Sequence, residues 1–203
     1  MPPQAALFDL GGVVLDVDFN LALDHWARRS RLPAGEVRRR FAVDEPYRRH
    51  ETGALPFSGY CEHLRDLLAL DADEAYVRQG WNAILLREIR ETVALIDRLR
   101  RRGIPCHALS NTNAAHVEAI GELFPDLLPR FGRVFVSHEI GHRKPAPEAF
   151  LHVVRALEMP AAAVLFFDDL PENVEAARTI GMDAVLVRSP ADVRSAVEQR
   201  NLG

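Results

Sequence analysis

Lysine is almost absent from this sequence of 203 residues. Of its 25 basic residues only Lys144 is a lysine, and the other 24 are arginines. An arginine ends in a wide planar fork, whereas a lysine ends in a compact charge on a slim stem. A surface lysine that survived by chance would explain the pattern. The alternative, which we favour, is that residue 144 occupies a place where a guanidinium does not fit.

Cysteine, long apolar segments and net charge are also scarce. Cys61 and Cys106 are too few for a disulfide framework, so we expect a protein of the reducing cytoplasm. No apolar stretch approaches the roughly 18 residues that span a bilayer, and no basic segment precedes an apolar run at the amino terminus. We therefore expect neither membrane insertion nor a signal peptide. A net charge of −4 and a pI near 6.1 give no general attraction to nucleic acid or anionic membranes.

The arginines cluster between residues 20 and 50, a segment that contains eight arginines and four acidic residues. Such a cluster fits either a nucleic-acid patch or the solvated faces of helices. Interleaved aromatic residues are sparse and the whole chain is acidic. Solvated helix faces are therefore the better interpretation, and no nucleic-acid partner is expected.

Apolar residues make up 48% of the chain, enough for one large domain or for a core with an insert. The apolar run at residues 5–8 predicts a strand buried on both faces, and it ends at Asp9, followed by Gly11 and Gly12. From residue 88 onward predicted helices and strands alternate. With the first strand this order is βαβαβαβαβα, which predicts an α/β fold with a Rossmann-like, doubly wound parallel sheet.

Residues between the first strand and residue 88 have helical periodicity with no intervening strand. Helices are predicted over 19–30, 33–43, 56–70 and 72–85, with loops near Pro46 and residues 52–53. We therefore predict a helical insert over 19–87 and a Rossmann-like core formed by 1–18 and 88–203.

Several predicted core strands end in residues that carry chemistry. The carboxyl ends of parallel strands meet at one edge of the sheet, where ligands bind. Each of these residues has an ordinary alternative role in a turn or helix cap, but their coincidence at one edge favours a site. Carboxylates suit Mg²⁺, a lysine and a hydroxyl suit phosphoryl oxygens, and an aspartate can act as nucleophile. The residues are Asp9, Ser110, Asn111, Asp168 and Asp169, joined by Lys144 from the loop before a predicted helix.

Four motifs of the chain resemble those of the haloacid dehalogenase-like hydrolase superfamily. In order they are Phe-Asp-Leu-Gly-Gly-Val, Leu-Ser-Asn-Thr, Arg-Lys-Pro and Phe-Phe-Asp-Asp-Leu-Pro-Glu-Asn, and the resemblance covers essentially the whole chain. The helical insert matches the small helical cap of that family. The sequence is most similar to its sugar-phosphate phosphatases, including those acting on glucose 1-phosphate, and to the phosphatase domain of epoxide hydrolases. The paired acids of the last motif favour phosphatases over the metal-free dehalogenases.

The resemblance implies a Mg²⁺-dependent phosphatase of a small phosphorylated metabolite, an aldose 1-phosphate for example, which works through an aspartyl phosphate. It also implies a role for each matched residue. Asp9 would be the nucleophile; Ser110, the Asn111 backbone and Lys144 would hold the phosphoryl group; Asp9, the Gly11 carbonyl and Asp169 would bind Mg²⁺, supported by Asp168; and Asn173 would steady the acidic loop.

The sequence departs from the family at Gly11, where most of its phosphatases carry a second aspartate that protonates the leaving group. Such an acid contributes about 10²–10⁴-fold to the rate. Either another group or water replaces it, with Asp16 or Asp18 the first side chains to test, or the leaving group needs little help, as in an anomeric phosphate. A third alternative is a weak or idle family member that binds a phosphate ligand or a protein partner. We expect substrate specificity at the tips of the cap, near residues 51–53 and Trp81; the sequence predicts neither the substrate nor the oligomeric state.

Overall fold

The chain forms two β-sheets within residues 3–202, the part described by the computed structural model. The strands are β1 (Ala5–Phe8), β2 (Leu15–Val17), β3 (Leu85–Glu88), β4 (Cys106–Ser110), β5 (Val134–Val136), β6 (Val164–Asp168) and β7 (Asp183–Leu186). Five of them form a parallel sheet in the order β5-β4-β1-β6-β7, and β2 pairs with β3 in a separate antiparallel sheet. Because β1 is central, the carboxyl ends of β4, β1 and β6 lie side by side.

Helices lie between consecutive strands, except between β1 and β2, and one more helix follows β7. Several begin at an Asp or Asn whose side chain accepts a hydrogen bond from a backbone N–H of the first turn, as Asp44 does from Tyr47 at 2.9 Å. No helix within residues 3–202 has the length and apolar character needed to cross a membrane. The helices are α1 (Phe19–Ala27), α2 (Ala34–Arg40), α3 (Glu45–Glu51), α4 (Phe57–Leu67), α5 (Glu74–Asn82), α6 (Arg90–Arg101), α7 (Ala114–Leu123), α8 (Ser137–Ile140), α9 (Pro147–Leu157), α10 (Pro171–Thr179) and α11 (Pro190–Gln199).

The central strand is buried on both faces, which explains its continuous apolar sequence. Ala6 and Phe8 pack into the cluster that includes residues of α6 and α11, whereas Leu7 packs into the opposite cluster with residues of α9 and α10. Phe8 stacks on Phe167 of β6 with 4.9 Å between ring centroids. The predicted α/β fold with a doubly wound parallel sheet is confirmed.

The region between β2 and β3 differs from its prediction in two respects. The structure has five helices here, because α3 forms where a loop was predicted; Pro46 lies in its first turn, where the missing N–H is not needed. The predicted strand-free interval is also wrong, since α5 ends at Asn82 and β3 follows it. Leu85 continues the apolar pattern of α5, so the local sequence does not reveal that β3 pairs with the distant β2. The strands β2 and β3 thus form both connections between the sheet and the helical insert.

The helices α1–α5 have an apolar core of their own, rich in aromatic rings. Trp26 stacks on Trp81 with 6.0 Å between centroids and 14° between planes, and Tyr60 lies edge-on to Trp81 at 5.2 Å. Trp81 is fully buried at the centre of this cluster, so the expectation that it lies at a tip of the cap is wrong. The predicted division into a core of 1–18 and 88–203 and a cap of 19–87 stays a prediction, with β2 and β3 at its joins.

Candidate active site

Asp9 and Lys144 meet at the carboxyl edge of the parallel sheet. Asp9 directly follows β1, and its Oδ1 accepts a hydrogen bond from the Leu10 N–H at 2.7 Å. The ammonium Nζ of Lys144 lies 2.9 Å from Asp9 Oδ1 and 2.6 Å from Asp168 Oδ2, at the end of β6. Lys144 is only 1% exposed, so solvent does little to balance its charge. Within the described residues, its ammonium forms ion pairs with these two carboxylates and with no other group.

The side chain of Asn111 holds the loop that carries Lys144. Its Nδ2 donates to the Lys144 carbonyl at 2.8 Å, and its Oδ1 accepts from the Lys144 N–H at 2.7 Å. Asn111 follows the end of β4, so these bonds tie that strand to the loop before α9. The resemblance assigned a phosphoryl contact to the backbone of Asn111; the structure adds a positioning role for its side chain, which the sequence did not reveal.

Asp168 is buried and engaged at both oxygens. Its Oδ1 accepts hydrogen bonds from the Leu170 N–H and from Asn173 Nδ2, each at 2.9 Å, while Oδ2 faces Lys144. Asn173, expected to steady the acidic loop, therefore does contact its first acid. Because both of its oxygens are bound to protein donors, Asp168 orients Lys144. Of the two adjacent acids, Asp169 is the more exposed.

Asp9, Asp168 and Asp169 form a cluster in which one oxygen from each lies within 4.8 Å of the others. Burial, reinforced by the negative charges of Asp168 and Asp169, raises the pKa of Asp9 to about 7 despite the nearby Lys144. Burial and Asp168 likewise raise the pKa of Asp169. Three carboxylates facing one ammonium leave an excess of negative charge, and this donor set fits a divalent cation that prefers oxygen ligands.

The two glycines after Asp9 are not equivalent. Gly12 has φ +73°, and a Cβ there would lie 2.3 Å from Asp169 Oδ2, so only glycine fits beside that carboxylate. Gly11 has ordinary backbone geometry, and its Cβ would be 3.6 Å from the nearest Val17 carbon, a normal contact. Residue 11 therefore has room for a side chain, although this sequence places none there.

A small cavity of about 90 Å³ lies between the sheet edge and the helical insert. Gly11, Ser110 and Asn111 line it from the sheet side, and Tyr47 and Glu51 line it from α3. Two of the predicted phosphoryl-binding residues, Ser110 and Asn111, thus share a cavity with Glu51, which belongs to the expected specificity tip, and with Tyr47, for which no role was predicted.

The burial and the contacts of Glu51 were not predicted from the sequence, which identified it only as part of a cap tip. Glu51 is 5% exposed, and its Oε2 accepts a hydrogen bond from Arg143 Nε at 2.8 Å. The residue ends α3, where the helix dipole disfavours a negative charge. The sequence offered no signal of this position, because α3 itself was predicted as a loop.

Neither of the first candidates to replace the missing acid reaches this cavity. Asp18 caps α1, accepting from the Asn20 N–H at 2.9 Å. Asp16 lies on β2 and pairs with Arg87 on β3 at 3.0 Å. Both side chains are committed to local structure.

The chain resembles characterised proteins along most of its length. Residues 3–181 match the haloacid dehalogenase-like hydrolase family. The chain belongs to this family. It is 30% identical over 207 residues to Phosphatase MT3486 of Mycobacterium tuberculosis, covering 97% of this chain and 93% of the relative. It is 25% identical over 198 residues to D-ribitol-5-phosphate phosphatase of Bacteroides thetaiotaomicron, covering 93% of each.

A solved structure supports the fold of this family member. A haloacid dehalogenase family enzyme of Bacteroides thetaiotaomicron, in complex with magnesium and inorganic phosphate, superposes with a TM-score of 0.82 at 21% identity, covering 92% of this chain and 94% of that one. The predicted family and the predicted enzyme class, a hydrolase of phosphoric monoesters, are confirmed.

Proposed function

We propose that this haloacid dehalogenase-like hydrolase is a Mg²⁺-dependent phosphatase of a small phosphorylated metabolite, with Asp9 as the nucleophile. The observation that carries the proposal is the contact of Asp9 with Lys144 at 2.9 Å, beside Asp168 and Asp169 at the central strand end. A carboxylate next to a buried ammonium is placed to attack an anionic phosphoryl group, because the ammonium offsets the charge repulsion.

In the proposed reaction a carboxylate oxygen of Asp9 attacks phosphorus as the bond to the leaving oxygen breaks. Burial lowers the pKa of Lys144, but Asp9 and Asp168 more than offset this and raise it, so the lysine keeps its charge. Ser110 and the backbone after β4 bind the other phosphoryl oxygens. Water then attacks the aspartyl phosphate, which releases phosphate and restores Asp9.

Mg²⁺ would be held by Asp9, Asp169 and the carbonyl of Gly11, with Asp168 in support. When bound, it neutralises charge on the phosphoryl oxygens. The close approach of Gly12 to Asp169 supports this assignment, because it keeps the carboxylate beside the loop that follows Asp9.

The substrate class we propose is a small sugar phosphate, such as an aldose 1-phosphate. The cavity beside Ser110 is small and carries polar groups of the cap, and a relative acts on a polyol phosphate, D-ribitol 5-phosphate. An anomeric phosphate is also a better leaving group than an alkyl phosphate, which would suit a site with glycine at residue 11.

Hydrolysis of p-nitrophenyl phosphate, measured with Mg²⁺ and with EDTA, tests the proposal. We expect turnover only with Mg²⁺, and a panel of metabolite phosphates then ranks the substrates. The alternative, an idle member that binds phosphate without cleaving it, is favoured by Gly11 and predicts phosphate binding without turnover. Equal activity in EDTA would overturn the metal assignment.

A further inference from the structure

The cavity between sheet and cap contains few groups that can exchange a proton. Among the described residues that line it, the titratable side chains are Tyr47, Glu51 and His116. For a leaving group in this cavity, a side-chain proton donor other than residue 11 would come from this set, and each member can be judged from its contacts.

His116 is held as a neutral, structural histidine. Burial lowers its pKa to about 4. Its Nε2 lies 3.0 Å from the Trp81 carbonyl and its Nδ1 lies 3.1 Å from Asn113 Nδ2. With the proton on Nε2 donated to that carbonyl, and Nδ1 accepting from the amide, neither nitrogen has a proton for a substrate.

Tyr47 is too weak an acid for this role. Burial, and then the charge of Glu51, raise the pKa of its hydroxyl well above the ordinary value. The same hydroxyl interacts with the carboxyl group of Glu51, so Tyr47 is a neighbour of that group and not itself a proton donor to a substrate.

Glu51 is the one carboxyl group among the described residues that line the cavity. Burial raises its pKa, while Arg143 and the Tyr47 hydroxyl act in the opposite direction. Arg143 occupies only Oε2. The titratable and charged groups that interact with Glu51 are Tyr47 on α3, Tyr60 on α4, and Arg143 and Lys144 in the loop after α8.

The end of α3 is fixed against the core. Gly53 has φ +74°, and a Cβ there would lie 2.3 Å from the carbonyl oxygen of His138 in α8. Together with the ion pair between Glu51 and Arg143, this close approach seats the helix end on the core. The carboxyl group thus reaches the cavity from a held position.

We propose that Glu51 supplies from the cap the general acid and base that the core lacks at Gly11. The inference rests on the proposed phosphatase function. As the bond between phosphorus and the leaving oxygen breaks, that oxygen takes the proton of the Glu51 carboxyl group. The resulting carboxylate then accepts a proton from the water that attacks the aspartyl phosphate, so the carboxyl group is restored when phosphate leaves.

Leaving-group dependence tests this role in the full-length enzyme with saturating Mg²⁺. We measure kcat and KM for aryl phosphates of graded phenol pKa and for alkyl phosphates. In Glu51→Gln the kcat for alkyl phosphates should fall about 10²–10⁴-fold. The loss for p-nitrophenyl phosphate should be smaller, within about tenfold, because its leaving group needs little protonation. Glutamine can still accept the Arg143 bond, which favours folding.

Three further measurements and a control variant separate proton transfer from a structural role. Wild-type kcat/KM for alkyl phosphates should fall as pH rises through the pKa of Glu51, and Glu51→Gln should lack this limb. Adding Gly11→Asp to Glu51→Gln should restore alkyl turnover at least about tenfold, because residue 11 has room for a side chain. Glu51→Asp, which keeps an acid, should lose less than Glu51→Gln. Glu45→Gln, at the exposed start of α3, is the matched control and should match wild type.

Equal losses for aryl and alkyl phosphates in Glu51→Gln, or a rise in KM alone, would overturn the proposal in favour of substrate binding. The proposal would also be overturned if kcat/KM of Glu51→Gln for alkyl phosphates still fell as pH rises. A wild type that turns over no phosphate ester with Mg²⁺ would instead overturn the phosphatase function, so the two failures are distinguishable.

Discussion

The sheet edge and the interior of the cap are both buried, but different forces order them. At the edge, Asp9, Lys144 and Asp168 are charged groups held by charge-assisted hydrogen bonds of 2.6–2.9 Å. In the cap interior, Trp26 and Trp81 belong to a cluster of stacked and edge-on rings. Removing one partner of a buried charge pair leaves an uncompensated charge, whereas apolar packing tolerates swaps of similar volume. Substitutions at the edge should therefore cost stability as well as the proposed chemistry, whereas conservative swaps in the cap should cost some stability and leave the chemistry unchanged.

The largest effect should come from Asp9→Asn. The amide keeps the size of the side chain but removes the nucleophile, so turnover of p-nitrophenyl phosphate should fall below about 1% of wild type. The variant should fold, as judged by circular dichroism. Residual activity well above this level would count against an aspartyl phosphate.

Lys144→Arg should be nearly as damaging as Lys144→Ala, each losing about 10²-fold or more in kcat. The ammonium lies between Asp9 and Asp168 in a place that is 1% exposed, and a planar guanidinium would crowd both carboxylates. Steady-state kinetics of both variants measure the two losses in kcat. Substantial activity in the arginine variant would mean that the single lysine is an accident of composition.

Asp169→Asn should weaken Mg²⁺ binding by about tenfold or more and lower activity with it.

Because the pKa of Asp9 is raised to about 7 in the folded protein, the stability from its proton is present at low pH and lost as pH rises from about 4 to 7. Mg²⁺ should therefore raise Tm more at pH 8 than at pH 5, where a proton competes with the cation. Thermal unfolding of wild type and variant with and without Mg²⁺ measures this, and an equal Mg²⁺ shift in both proteins would exclude Asp169 as a ligand.

The smallest effect on chemistry should come from Trp26→Phe in the cap. This change removes some packing volume and the hydrogen bond from the indole Nε1 to the Val77 carbonyl at 3.1 Å. We expect a loss of about 1–2 kcal/mol in the free energy of unfolding and little change in kcat for p-nitrophenyl phosphate. A loss of activity like that of Lys144→Arg would show that the two regions are not separable.

The sequence predicted the edge better than the cap for a physical reason. Asp9 and Asp168 end continuous apolar strands, and parallel pairing brings such ends together without any knowledge of side-chain contacts. Glu51 and Arg143 come from different elements, and only the seating of α3 on α8 brings them to one cavity. Likewise β3 depends on a partner distant in sequence, and the burial of Trp81 depends on the packing of the cap helices.

The composition of the chain has an experimental consequence at this edge. Because Lys144 is the single lysine, the chain contains one ε-amine, and it is held between two carboxylates rather than in solvent. Incorporation of ¹⁵N-lysine would therefore label one side-chain nitrogen in the whole protein. Its resonance is a natural spectroscopic reporter of occupancy at the nucleophile, free of overlap and obtained without any substitution.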